Sequence, residues 1–123
     1  MKLTTVVQRL PYCTILKFLR GPIEIGSTTV RCKNTIGTIC NIRVDKSERG
    51  KGFGSKILRT TEDYLKQSNP GLTAIDLLAH QRQGDRLVEF YRKHNYSESV
   101  DDEPNRYDDG EVIYELIPMG KKV

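Results

Sequence analysis

Hydrophobic and polar positions change period part-way along this chain, and the change separates a strand-rich part from a mixed part. Up to residue 44 the apolar positions come in short β-branched runs separated by turn residues. Residues 4–7, 14–19, 28–33 and 35–44 read as strands, with Pro11, Gly21-Pro22 and Gly26-Ser27 as punctuation. In the last of these, Ile36, Thr38, Cys40, Ile42 and Val44 alternate with Gly37, Ile39, Asn41 and Arg43. That alternation predicts one face almost wholly apolar or β-branched. Further on, Ile57, Leu58, Thr61, Tyr64 and Leu65 fall on one helical face, with Lys56, Arg59, Glu62, Asp63 and Lys66 directed outward. Asn69-Pro70-Gly71 ends this helix. Residues 72–79 form a short apolar strand interrupted by Asp76. Asp85 caps a second helix with the stripe Leu87, Val88, Phe90, Tyr91 and His94, and Asn95 suits the left-handed position after its last turn. Residues 96–100 and 111–117 supply two strands around a polar loop. The order β-β-β-β-α-β-α-β-β describes an α/β chain with one mixed sheet. With 123 residues and neither repeat nor linker, residues 1–123 are expected to form a single domain.

Where the period changes lies Arg49-Gly50-Lys51-Gly52-Phe53-Gly54-Ser55. A glycine-rich turn at the start of a helix leaves backbone N–H groups bare, and an anionic phosphate can sit on them. Three known phosphate grips do not match. A P-loop needs Gly-Lys-Ser/Thr, but Gly50-Lys51 is followed by Gly52. A dinucleotide fingerprint needs a third glycine where Ser55 or Ile57 stands. A kinase glycine loop joins two strands, whereas a helix follows here.

Charge supports an anionic ligand at this turn. Arg43, Lys46, Arg49, Lys51, Lys56 and Arg59 face only Asp45 and Glu48 between residues 43 and 59. Residues 98–115 are acidic instead, with eight carboxylates against Arg106, and that segment could attract a cationic substrate. No apolar run approaches the roughly 20 residues of a membrane span, and the N-terminus lacks a signal-peptide core. Cys13, Cys32 and Cys40 form no CxxC pair and read as reduced, buried thiols, with no metal expected. Together these features point to the cytoplasm. No RNP-like or helix-turn-helix pattern accompanies the basic cluster, so nucleic acid is not an expected partner.

Arg49-x-x-Gly52-x-Gly54, between a strand ending Val44-Asp45 and an amphipathic helix, resembles the acetyl-CoA motif of the GCN5-related N-acetyltransferases (GNAT family). The likeness runs from Ile42 through Leu58. It returns at Phe90-Tyr91-Arg92-Lys93-His94-Asn95-Tyr96, similar to the family's second signature, and covers roughly residues 36–117. Three departures stand out. Residues 1–35 show no convincing helix, although the family usually places two between its first strands. The acceptor site is therefore expected to be open, or completed by a second subunit; a homodimer through the last strands is compatible with this layout. Residues 36–44 lack the carboxylate that many members use as a base, and Gly84 replaces an Asn common near the second helix.

The resemblance implies a GNAT-like mixed sheet flanked by helices, with a shortened N-terminal part. It implies acetyl transfer to a primary amine by direct attack in a ternary complex. The acceptor could be a small molecule, a polyamine, a lysine or a protein N-terminus. A non-catalytic acyl-CoA-binding or protein-interaction module on the same fold is the alternative. Acetyl-CoA would meet the N–H groups of Arg49, Gly50, Lys51, Gly52, Phe53, Gly54 and Ser55, with Arg49 and Lys51 adding charge, and its pantetheine arm would pair with backbone groups of Ile42, Arg43 and Val44. Tyr91 corresponds to the family's general acid, since an ordinary phenol is close in acidity to a thiol leaving group. His80, at the end of residues 72–79, is the base candidate, because imidazole titrates nearest neutrality. Asp76 and Glu111 are weaker base candidates, and His94 reads as structural.

Overall fold

The β-branched runs at the start of the chain fold as consecutive antiparallel neighbours. They are β1 (Thr4–Arg9), β2 (Thr14–Arg20), β3 (Ile23–Lys33) and β4 (Ile36–Val44). The computed structural model describes residues 2–82, 86–99, 105–108, 110 and 113–123. After β4, one 3-10 turn (Lys46–Glu48) and the glycine segment lead into α1 (Phe53–Ser68). Then come β5 (Ala74–Arg82), α2 (Leu87–Lys93), β6 (Ser97–Glu98), β7 (Asn105–Asp108) and β8 (Ile113–Lys122). All join one mixed sheet in the order β1-β2-β3-β4-β5-β8-β6, with β7 also paired to β8. Among the described strands only β4 and β5 pair in parallel, and α1 is the crossover between them. The positions of Gly84, of the expected cap Asp85, and of the acidic residues 101–103, Asp109 and Glu111 lie outside the described residues.

Several expectations are corrected. Gly26-Ser27 lies inside β3 and makes no turn. A Cβ on Gly26 would sit 2.5 Å from the Arg43 carbonyl oxygen and 2.8 Å from Ile57 Cδ1, so this glycine lets β4 and α1 come close to β3. β7 forms within the stretch read as a polar loop, and β8 runs on to Lys122. The cysteines are free, but Cys13 and Cys32 are half-buried and Cys40 is exposed. Finally, β4 does not alternate strictly. Val30 pairs with Ile39 and Thr29 with Asn41, which leaves Cys40 as an extra bulged residue. Before the bulge Gly37 and Ile39 face inward; after it, the half-buried Ile42 and Val44 pack against the core. The bulge thus changes the phase of the strand.

Both helices cover the same sheet face. Gly54 of α1 lies against the Phe90 ring of α2, and Ser55 Oγ is 3.0 Å from His94 Nε2. Ile57, Leu58, Thr61 and Leu65 of α1 are buried on the sheet. Asn95 takes φ 72°, the left-handed conformation that closes α2. Glu62, expected to point outward, is buried. It accepts a 2.7 Å hydrogen bond from the Tyr96 hydroxyl and pairs at 2.6 Å with Lys121 of β8, so its charge is matched.

The opposite face carries no helix among the described residues. A four-residue turn, closed by a 2.9 Å bond from Leu10 N–H to the Cys13 carbonyl, joins β1 to β2. The connection from β1 to β2 is short and holds no helix, as the sequence implied. It leaves Leu78 and His80 of β5 exposed on that face.

Candidate active site

The central parallel pair makes the site. β4 and β5 are in register from Ile36–Ala74 to Ile39–Leu77, and there the pairing ends. The Cys40 bulge directs the rest of β4 away from β5, and a cleft of about 630 Å³ opens between them. Cys40 through Val44 form one wall and Leu78 and His80 the other. Phe90 and Tyr91 of α2 line it as well, and Arg49 and Gly54 bring the glycine turn to it. Beyond Ile39, the β5 side of β4 pairs with no strand among the described residues, so its backbone can take an extended, amide-bearing ligand as a neighbouring strand would.

At the end of β4 the chain enters the glycine turn. Gly50 and Gly52 have φ of 81° and 80°, in the left-handed region where side chains are strained. Gly52 is the N-cap of α1 and brings no side chain to cap it. The first N–H groups of a 16-residue helix therefore point out of the turn, the arrangement that binds anions. The Arg49 guanidinium folds back, and its Nε donates to the Val44 carbonyl at 3.1 Å. That carbonyl, expected to serve a ligand, is already engaged. The Phe53 side chain is buried with Leu16, Phe18, Ile25 and Ile57, so only its backbone can reach a ligand.

Sequence reasoning passed over Glu48. Its buried carboxylate accepts two hydrogen bonds from Arg20, at 3.1 and 2.8 Å, and pairs with Lys51 at 3.2 Å. Lys51 is thus tied to the turn it was expected to charge. Arg86, just before α2, adds a cation to the cleft wall and was also missed, although a basic residue ahead of the Phe-Tyr pair was there to be read.

Tyr91 is buried, with its ring edge-on to Phe90 at 5.3 Å and to Tyr96 at 5.9 Å. Burial pushes its phenol up to about 12. It is therefore a firmly protonated donor at neutral pH and a weaker acid than the ordinary phenol expected. His80 is exposed on the facing wall. Asp76 lies outside this cleft, one strand position before the pairing ends, and Glu111 is outside the described residues. His94 closes α2 and lies against Ser55; burial first, then Arg59, lowers its pKa. Among the described residues, no three His, Cys, Asp or Glu side chains gather as metal ligands, and no helix is long and apolar enough to cross a membrane.

The model of the acetyltransferase (GNAT) family matches residues 15–96. This chain belongs to that family. Uncharacterized protein 050L of Invertebrate iridescent virus 6 is 27% identical over 79 residues, which is 64% of this chain and 7% of the viral protein. The GNAT chain thus spans a small part of that curated relative. Among solved structures, the ribosomal-protein-S18-alanine N-acetyltransferase of Escherichia coli matches with a TM-score of 0.78 and 15% identity, over 94% of this chain and 72% of that one. An acetyltransferase of Bacillus subtilis in complex with CoA matches with a TM-score of 0.78 and 14% identity, over 99% of each chain. At such identities the likeness is one of fold: the mixed sheet with two helices is the GNAT sheet.

Proposed function

We propose that this chain is an acetyl-CoA-dependent N-acetyltransferase that acts on a primary amine by direct attack. One observation carries the reading: β4 leaves its partner at the Cys40 bulge and leads, through one 3-10 turn and the glycine segment, into a helix capped by glycine, with Tyr91 on the cleft wall. Acetyl-CoA supplies an activated thioester. The N–H groups from Gly52 to Ser55 and the positive end of α1 hold its pyrophosphate, and the free side of β4 holds its pantetheine arm. A backbone N–H of β4 polarises the thioester carbonyl. As the amine nitrogen bonds to the carbonyl carbon and the C–S bond breaks, Tyr91 gives its proton to the departing sulfur. The proton from the amine passes to His80 or to solvent. Donation from a phenol near 12 is uphill toward an ordinary thiolate. A thiolate that leaves against the buried Tyr91 ring is itself partly stripped of water, which raises its basicity and narrows the gap.

The test is release of free thiol from acetyl-CoA with a panel of amines. Tyr91→Phe should lower kcat about 10- to 1000-fold with little change in CoA affinity. Unchanged turnover removes Tyr91 from the reaction. The helix-free face favours a second reading, a non-catalytic acyl-CoA-binding module, since nothing described there walls in an acceptor. Tight CoA binding without thiol release from any amine would select it.

A further inference from the structure

A second cavity, of about 500 Å³, lies next to the cleft and shares Ile39, Cys40, Leu77 and Leu78 with it. Besides Ser99, its polar lining is a straight row across the sheet. Arg31 of β3 pairs in register with Thr38 of β4, and Thr38 with Asp76 of β5. The Thr38 hydroxyl donates to Asp76 Oδ1 at 2.6 Å, which fixes the carboxylate on this face. Arg31 makes no ion pair with a described residue. The thiol of Cys40, at the junction, senses both charges: partial burial raises its pKa, Arg31 opposes the rise and Asp76 adds to it.

We propose that this cavity is the acceptor subsite, and that it selects an amine carrying its own carboxylate, of the amino-acid type. The inference rests on the acetyltransferase reading for its place beside the thioester, and on the charge row for its chemistry. Asp76 takes the amino group and Arg31 the carboxylate. Neighbouring strands lie about 4.8 Å apart, so these two residues, two strands apart, have Cα atoms about 10 Å apart. An amine and a carboxylate one or two carbons apart, each with a charge-assisted hydrogen bond of about 2.8 Å, match that span. Leu78, Pro118 and Met119 give the cavity an apolar side for the rest of the acceptor. A polyamine would leave Arg31 facing a like charge, and a lysine within a protein brings no carboxylate near its amine.

The experiment measures binding and turnover separately, on the full chain. A panel of L-amino acids, each beside its carboxamide and its decarboxylated amine, is titrated by calorimetry with and without coenzyme A, then assayed for thiol release from acetyl-CoA. At least one amino acid should bind tenfold or more tightly than its carboxamide. Arg31→Gln should erase that preference while leaving the decarboxylated amine unaffected, and Arg31→Lys should restore part of it. Asp76→Asn should weaken the amino acid and the decarboxylated amine alike. If no amino acid is preferred over its carboxamide, or if the preference survives Arg31→Gln, the subsite is overturned. Charge-selective binding without thiol release would keep the subsite and remove the acetyltransferase reading.

Discussion

Gly52 and Gly54 belong to one motif, yet the structure assigns them opposite sensitivities to the same substitution. Gly52 has φ 80°, and a Cβ built on it meets nothing within 4 Å. The cost of Gly52→Ala is therefore conformational alone: a left-handed alanine costs about 1–2 kcal/mol, and the stiffer unfolded chain returns about 0.4–1 kcal/mol. A net loss of about 1 kcal/mol corresponds to a fall in Tm of roughly 3–6 °C for a chain of this size. Gly54 sits inside α1, and its Cβ would touch the Phe90 ring at 3.5 and 3.6 Å, ordinary contact distances. Gly54→Ala should therefore be neutral, or stabilise by up to about 1 kcal/mol through helix propensity. Binding adds the decisive contrast. If the turn seats a pyrophosphate, relaxing φ at residue 52 turns N–H groups away, and CoA affinity should fall at least tenfold, beyond what the stability loss explains. Gly54→Ala should keep affinity within a few-fold. Thermal melting and calorimetry with CoA on both variants decide it. Equal CoA affinity in Gly52→Ala and the parent chain would refute the phosphate seat. A Tm drop in Gly54→Ala would refute the packing argument.

Two further outcomes follow from buried groups. Glu62→Gln should destabilise by about 3–5 kcal/mol in urea unfolding, because Lys121 loses its buried partner; a change under 1 kcal/mol would show the pair to be dispensable. Burial raises the phenols of Tyr91 and Tyr96, the latter also through its bond to Glu62, so the folded chain keeps protons that the unfolded chain releases above about pH 10. That stabilisation is complete below pH 10 and should be lost as pH rises, by about 1.4 kcal/mol per unit per tyrosine, with the Tyr91 share ending near 12. Tyr91→Phe should make the alkaline slope of unfolding free energy shallower, and an unchanged slope would count against burial as the cause.

Periodicity made the central crossover legible, because α1 and the strands around it bury continuous faces. The stripe Ile57, Leu58, Thr61 and Leu65 is buried as the helical period requires. The glycine turn was legible because backbone at positive φ needs a particular residue. Other features were hidden because they depend on partners far along the chain. Glu62 reads as a surface acid until Tyr96 and Lys121 reach it from 34 and 59 residues away. Glu48 reads as one of two acids in a basic stretch until Arg20 arrives from β2. Arg31, Thr38 and Asp76 come together only through strand register.

Since Cys40 is the extra residue of β4, that strand depends on a count as well as on side chains. Substitutions at position 40 should be well tolerated, whereas deletion of Cys40 should keep the fold and abolish CoA binding, as melting and calorimetry on the deletion variant would read. Losing Cys40 would make the ladder to β3 regular, with Ile39, Ile42 and Val44 still facing the core in strict alternation, but it would remove the kink that parts β4 from β5 and opens the cleft. Shared ancestry would then be visible at this point in the spacing between Ile39 and Ile42, even where every residue between them has changed.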